Sequence, residues 1–160
     1  MPDTSFPRHA AAAPWQPQDP DFADRVRASF ARQGAMRTLG AELVAVAPGY
    51  CAIALVPRPE VAQQHGYVHA GVVAAIVDSA GGYAGFTLFP ADASVLTVEY
   101  KLNLMNPAQG NRIVAEGFVV KPGRTLAITR GEVFAERGGT RTLIAIMQQT
   151  LMVMHGKADT

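Results

Sequence analysis

Residues His69–Phe89 read HAGVVAAIVDSAGGYAGFTLF. Nearly every position is apolar or small, and one charged residue, Asp78, lies near the middle. A helix that is apolar around its whole circumference is buried in a protein core or spans a membrane. An Asp at the centre of a span costs roughly 2.5–3.5 kcal/mol on insertion scales. The stretch also relies on Ala and Gly instead of Leu and Ile, and no basic cluster follows it. The pattern therefore predicts a helix over about 70–89 buried in protein, with no membrane span. A carboxylate inside such a helix must be neutralised, paired or retained for chemistry. Two readings of Asp78 stand. It is a buried acid that caps a loop or pairs with an Arg, or its apolar neighbours Ile76, Val77 and Ala80 raise its pKa so that it serves as base or nucleophile.

Outward from this helix, the chain reads as strands on its C-terminal side. Ser94–Met105 alternates, with Leu96, Val98, Tyr100, Leu102 and Leu104 on one face and Thr97, Glu99, Lys101 and Asn103 on the other. Arg112–Val120 follows. Lys121-Pro122-Gly123-Arg124 fits a type II turn, and Thr125–Glu136 is a strand with a bulge expected at Gly131. Thr142–Met154 is nearly continuously apolar, as a central strand would be. On the N-terminal side, Phe22, Val26 and Phe30 recur at helical spacing. They predict a helix over about 20–39, capped by Asp19 or Asp21 and ended at Gly34 or Gly40. Ala41–Val56 is two strand segments around Pro48-Gly49, or one kinked strand. Glu60–Val68 is a polar loop. Residues 1–19, with Pro2, Pro7, Pro14 and Pro17, read as a flexible arm that Trp15 pins to the body, and 156–160 as a tail. Short turns between consecutive strands favour antiparallel pairing. The expected fold class is α+β, a curved antiparallel sheet wrapped around one long central helix. Close helix-to-sheet packing would give Gly81, Gly82 and Gly85 a use.

Composition narrows the function. A chain of 160 residues forms one domain with a real core. With 49% hydrophobic and 17% charged residues and a formal charge of +1, it lacks the basic surface of a nucleic-acid binder. Cys51 is the single cysteine, which excludes an internal disulfide and a multi-cysteine metal site. A reducing, cytoplasmic setting follows as an expectation, and the proline-broken start carries no secretory signal. No GxSxG, P-loop, GxGxxG or HExxH pattern occurs.

His69 precedes the helix, either as a loop histidine held by a backbone carbonyl or as part of a site. The amides of Ala70 and Gly71 at the helix start are expected to be free donors, favoured toward negative charge by the helix dipole. Ala70 and Asp78 are eight residues apart, roughly 12 Å along the axis at 1.5 Å per residue. One small reacting group cannot touch both. If both serve one site, two antiparallel copies of the helix must supply them, as in a twofold dimer with two equivalent sites. Gln63, in a loop with Gln64 and His65, orients a water or carbonyl, or is a solvated amide. Lys121 and Arg124 flank a turn and either bind phosphates or are solvated. Cys51 and His155 are bystanders.

Taken together, these residues resemble the hotdog-fold acyl-CoA thioesterases of the phenylacetate-pathway (PaaI-like) type. The resemblance covers about residues 40–154. It rests on QQHGYVHAG at Gln63–Gly71, on Asp78 nine residues after His69, on LMNPA at Leu104–Ala108 and on KPGRTLA at Lys121–Ala127. It implies a single hotdog domain over 20–155 that hydrolyses a fatty-acyl or aryl-acyl thioester of coenzyme A, with no metal and no cofactor beyond the coenzyme A of the substrate. It assigns Asp78 as general base or nucleophile, and backbone amides of Ala70 and Gly71 from a partner subunit as carbonyl polarisers. Gln63 would hold water or substrate, His69 would shape the site, and Thr97 would be a hydroxyl near the acid. Lys121, Arg124 and Thr125 would lie at the phosphates or pantetheine. The family forms dimers or dimers of dimers. The usual HGG is HAG here, which keeps a backbone amide but tightens the approach to it, and Gln63 stands where many relatives have Asn. Two alternatives are a non-enzymatic acyl-CoA-binding domain and an enoyl-CoA hydratase or dehydratase. The second is disfavoured by Tyr83, which stands where hydratases of this fold commonly place a His.

Overall fold

Six strands form one antiparallel sheet: β1 (Ala41–Ala47), β2 (Tyr50–Leu55), β3 (Ser94–Leu104), β4 (Arg112–Lys121), β5 (Leu126–Arg137) and β6 (Thr140–Met154), in the order β1-β2-β4-β5-β6-β3. Among the described residues three α-helices, α1 (Phe22–Arg32), α2 (Gly34–Leu39) and α3 (Ala70–Phe86), and a short 3-10 helix at Pro59–Val61 complete the fold. This is a computed structural model, and it describes residues 15–157 and 159. Most of the expected arm, residues 1–14, lies outside the described residues, as do tail positions 158 and 160. Within the described part, Trp15 packs against the core, and Gln18 donates to the Leu88 carbonyl at 3.0 Å. Arg32 reaches the Asp159 carboxylate at 2.9 Å.

The long helix α3 lies in the curl of the sheet, packed across β4, β2, β5 and β3. Every residue from Ala80 to Phe86 is buried, so the sheet explains the all-round apolar sequence of the helix's second half. In the first half Val73, Ile76 and Val77 form one buried face, whereas Val72, Ala74, Ala75 and Ser79 on the other side stay partly exposed. The helix ends at Phe86, three residues short of the expected end. Thr87 turns its hydroxyl back to the Ala84 carbonyl at 2.7 Å and accepts the Gly49 amide at 2.8 Å.

The helix sits close to the sheet because β4 and β5 present paired glycines beneath it. Gly117 is in register with Gly131. A Cβ at Gly117 would strike the Ala80 carbonyl, and one at Gly131 would strike the Val77 side chain. The expected bulge at Gly131 is therefore absent. That glycine serves close approach, and the register shift between β5 and β6 falls at Val133 and Phe134, opposite the extra residue Ile144 of β6. On the helix, Gly81 and Gly85 abut Gln149 and Leu151, as expected of close packing, but Gly82 faces open space. The Lys121–Arg124 turn is not type II either, since Gly123 does not have the positive φ that type requires. Gly123 instead leaves room for the Leu126 carbonyl.

Two further expectations change. The N-terminal helix breaks at Gln33, whose extended backbone (φ −69, ψ 101) ends α1 and turns its side chain to the Tyr83 hydroxyl at 2.7 Å. Gly40, in the left-handed region at φ 68, caps α2. In β3 the alternation is interrupted. Thr97 pairs with Leu151 and Glu99 with Thr150, which leaves Val98 as an extra residue. This bulge reverses the strand's facing. Before it, Val95 and Thr97 face the helix and Leu96 faces out. After it, Tyr100, Leu102 and Leu104 share the inner face with Gln149, Met147 and Ala145.

The glycine contact predicts that Gly117→Ala destabilises the fold by about 1–3 kcal/mol, because the added methyl meets helix backbone that cannot rotate away. Urea denaturation measures this. An unchanged midpoint would mean that the helix has slack to lift.

Candidate active site

Asp78 lies in the middle of α3, half-buried, on the wall of a cavity of about 290 Å³ lined also by Ser29, Gln33, Gly82, Tyr83 and Thr97. The alternative of a structural ion pair does not hold, because no Lys, Arg or His forms a salt bridge to Asp78 among the described residues. Its partners are neutral. Thr97 donates its hydroxyl to Oδ1 at 2.9 Å, and the Gln149 amide donates to the same Oδ1 and to the Asp78 main-chain carbonyl, the latter at 3.1 Å. No described residue donates to Oδ2. Burial pushes the carboxyl above its ordinary value of 3.8, and the Thr97 and Gln149 hydrogen bonds pull it back in part. A carboxylate that is raised, fixed at one oxygen and free at the other is equipped to take a proton or to attack a carbonyl.

Thr97 is thus a neighbour of the acid, against the strand alternation that placed it on the outer face. Gln149 was not singled out by the sequence reading, which took Thr142–Met154 as an apolar run. Its inward position between Met147 and Leu151 was the signal that could have found it. Tyr83 was also missed as a cavity residue. Its hydroxyl is held by Gln33 at 2.7 Å and by Ser29 at 3.1 Å.

The start of the helix forms a second cluster. His69 is the N-cap, and its Nδ1 accepts the Gly71 amide at 2.9 Å. A ring nitrogen that accepts is unprotonated, so the imidazole presents Nε2 outward as its polar tip. The expectation of two free amides is corrected: Gly71's is taken by His69, while Ala70's meets no protein acceptor among the described residues. Gln63 turns its own loop, with its side-chain oxygen accepting the His65 amide and its main chain bonded to Tyr67 and Gly66. This leaves its Nε2 without a described partner.

Lys121, Arg124 and Thr125 are exposed on the β4–β5 turn. Arg124 lines a cavity of about 350 Å³ with Leu88, Phe89 and His155, beyond the C-terminal end of α3. His155, expected to be a bystander, bonds the Arg124 carbonyl at 2.6 Å. Cys51 is buried in the core, and desolvation raises its thiol far above the ordinary range. Within one protomer the expected site residues therefore fall into three groups strung along α3, in which Asp78 is bonded to Thr97 and His69 to Gly71. Among the described residues no cluster of His, Cys, Asp and Glu could hold a metal ion, and no helix is long and apolar enough to cross a membrane.

Known proteins share this fold. The profile of the thioesterase superfamily matches residues 65–142, which include His69, Asp78 and Thr97. A crystal structure of a thioesterase family protein from Silicibacter pomeroyi is 46% identical, covers 84% of this chain and 99% of its own, and superposes with a TM-score of 0.83. The PaaI protein of the E. coli phenylacetic acid degradation operon, 13% identical over 86% of this chain and 96% of its own, shares the fold with a TM-score of 0.77. A protein of Halobacterium salinarum described as an esterase is 34% identical over 65 residues, 39% of this chain and 42% of that protein. The chain thus belongs to the thioesterase superfamily, a hotdog-fold protein of the thioester hydrolase class.

Proposed function

We propose that the protein is an acyl-CoA thioesterase that cleaves a fatty-acyl or aryl-acyl thioester of coenzyme A at Asp78. The observation that carries this reading is the Asp78 carboxylate, half-buried on a cavity wall, anchored through Oδ1 and without a donor to Oδ2 among the described residues. As a base, Oδ2 removes a proton from water, the resulting hydroxide adds to the thioester carbonyl, and the tetrahedral intermediate expels the coenzyme A thiolate, to which Asp78 passes the water-derived proton. As a nucleophile, Oδ2 itself adds to the carbonyl, the thiolate leaves, and water hydrolyses the acyl–aspartyl anhydride. Both routes need the ionised carboxylate and a donor for the developing oxyanion.

Within the protomer the unpaired amide, Ala70, is roughly 12 Å from Asp78 along the helix. We therefore place the oxyanion donor on a second copy of the chain, with two α3 helices antiparallel and two composite sites in a homodimer, alone or as half of a dimer of dimers. An antiparallel helix pair would bring the partner's helix start toward Asp78. The exposed cations Lys121 and Arg124, with Thr125, suit the phosphates and pantetheine of coenzyme A. No cofactor, metal or nucleic acid has a role in this reading, and its setting is the cytoplasm.

Asp78→Asn is expected to lower thiol release from acyl-CoA by at least about 10²-fold, measured with a thiol-trapping dye across aryl, short and long acyl groups. A variant as fast as the parent would sink the assignment. Because the acid must be ionised, the parent's rate should rise with pH along a limb centred above 3.8. Stability follows the opposite sign. A raised folded-state pKa means that the parent is relatively most stable below its unfolded-state value and loses that stability as pH rises through the folded one. Asp78→Asn should therefore melt higher than the parent at neutral pH, with the gap closing toward pH 3.8. Sedimentation at assay concentrations tests the composite site, which a fully active monomer contradicts.

A further inference from the structure

Gln149 is 1% exposed and Thr129 0%. Both stand on the inner face of the sheet, where the neighbours along β6, Met147 and Leu151, are apolar. A buried primary amide is costly unless its donors and acceptor are met, and here they are. The Thr129 hydroxyl donates to Gln149 Oε1 at 2.8 Å. Gln149 Nε2 faces the Thr97 hydroxyl oxygen at 3.1 Å, the Asp78 carbonyl oxygen at 3.1 Å and Asp78 Oδ1. The two Asp78 oxygens can only accept, so the amide cannot flip without setting oxygen against oxygen. The helix accommodates this group specifically, since a Cβ on Gly81, one turn after Asp78, would land on Gln149 Oε1.

We propose that Gln149 is a positioning residue for Asp78: its amide, oriented by Thr129 and given room by Gly81, pins Oδ1 so that Oδ2 is the oxygen presented to the thioester. The assignment rests on Asp78 being the reacting carboxylate. With Thr97 and Gln149 on the same oxygen, the carboxyl plane is fixed, which is what a base or nucleophile with one productive direction requires. The charged side chains that share the cavity, Arg32 and Asp159, pair with each other at 2.9 Å and leave Asp78 to its neutral donors.

The test measures kcat, KM and the acid limb of kcat/KM for Gln149→Leu, Gly81→Ala and Thr129→Val beside Asp78→Asn, with the Asp78 carboxyl titrated by carbon NMR in each folded variant. Gln149→Leu should lower kcat by about 10²-fold, leave KM unchanged and move both the acid limb and the NMR titration to higher pH, since a donor to the ionised form is gone. Gly81→Ala presses on Gln149 Oε1 and the Thr129 hydroxyl and leaves the Gln149 side chain in place. In the folded variant it should lower kcat with KM unchanged and move the acid limb and the NMR titration in the same direction, a combination that a purely structural role would not give. Thr129→Val should act likewise and more weakly. Parent-like kcat, limb and titration in folded Gln149→Leu and Gly81→Ala would overturn the proposal while leaving the reading of Asp78 intact. An undiminished Asp78→Asn would overturn that reading, and the positioning role with it. If Gln149→Leu does not fold, Gly81→Ala and Thr129→Val decide by the same readouts. If the parent cleaves nothing in the panel, the thioesterase reading fails and the NMR titration still decides whether the amide holds Asp78.

Discussion

The seating of α3 against the sheet over Gly117 and Gly131 governs the rest of the structure. With no side chain on either glycine, the helix backbone at Val77–Gly81 approaches β4 and β5 directly. A helix this close to its sheet has no room for water beneath it, so any polar atom there must be met by the sheet itself. Asp78 sits at the edge of that contact, half-buried on the cavity wall. Its neutral donors come from strands at one side of the sheet: Thr97 from β3 and Gln149 from β6, the latter braced by Thr129 from β5. The same proximity that desolvates the carboxylate also supplies the hydrogen bonds that keep it usable, and its pKa reflects that opposition.

Both ends of the helix are held, which keeps the middle in place. At the C-terminal end, Arg25 of α1 donates to the carbonyls of Phe86, Phe89 and Pro90 at 3.2, 2.8 and 2.6 Å, and its guanidinium lies 4.3 Å over the Phe86 ring. A cation at a helix C-terminus satisfies the orphan carbonyls and suits the dipole, and Asp19, at 3.2 Å, balances its charge. At the N-terminal end, His69 closes the first turn through its ring nitrogen. That bond removes one amide from service and leaves Ala70 as the open donor, so the HAG sequence offers one amide, where an unused Gly71 would make two.

Much of this could be read from the sequence because it is written in local chemistry. An all-round apolar helix with one acid, strands joined by short turns and a helix start built from small residues follow from periodicity and capping rules that need no tertiary information. What escaped depends on contacts between distant segments. Gly131 carries a bulge signal, yet it is small because the Val77 side chain of the helix occupies the space. Gln149 stands 71 residues from Asp78, and only the pairing of β6 with β3 brings it beneath the helix. Gln33 breaks a predicted helix because its side chain is committed to Tyr83, a partner 50 residues away.

Thr97 and Leu102 both face the helix although they are five positions apart, an odd separation that a regular strand never places on one side. The strand thus carries two messages of opposite parity, one set by the hydrogen bond from Thr97 to Asp78 and one by the core, and Val98 is the comma between them. Its own side chain is half in solvent. What matters at that position is the presence of a residue, more than its identity. In alignment terms, a gap there is a change of frame, so relatives that lack the extra residue must either turn their hydroxyl away from the acid or rebuild the inner face of the edge strand.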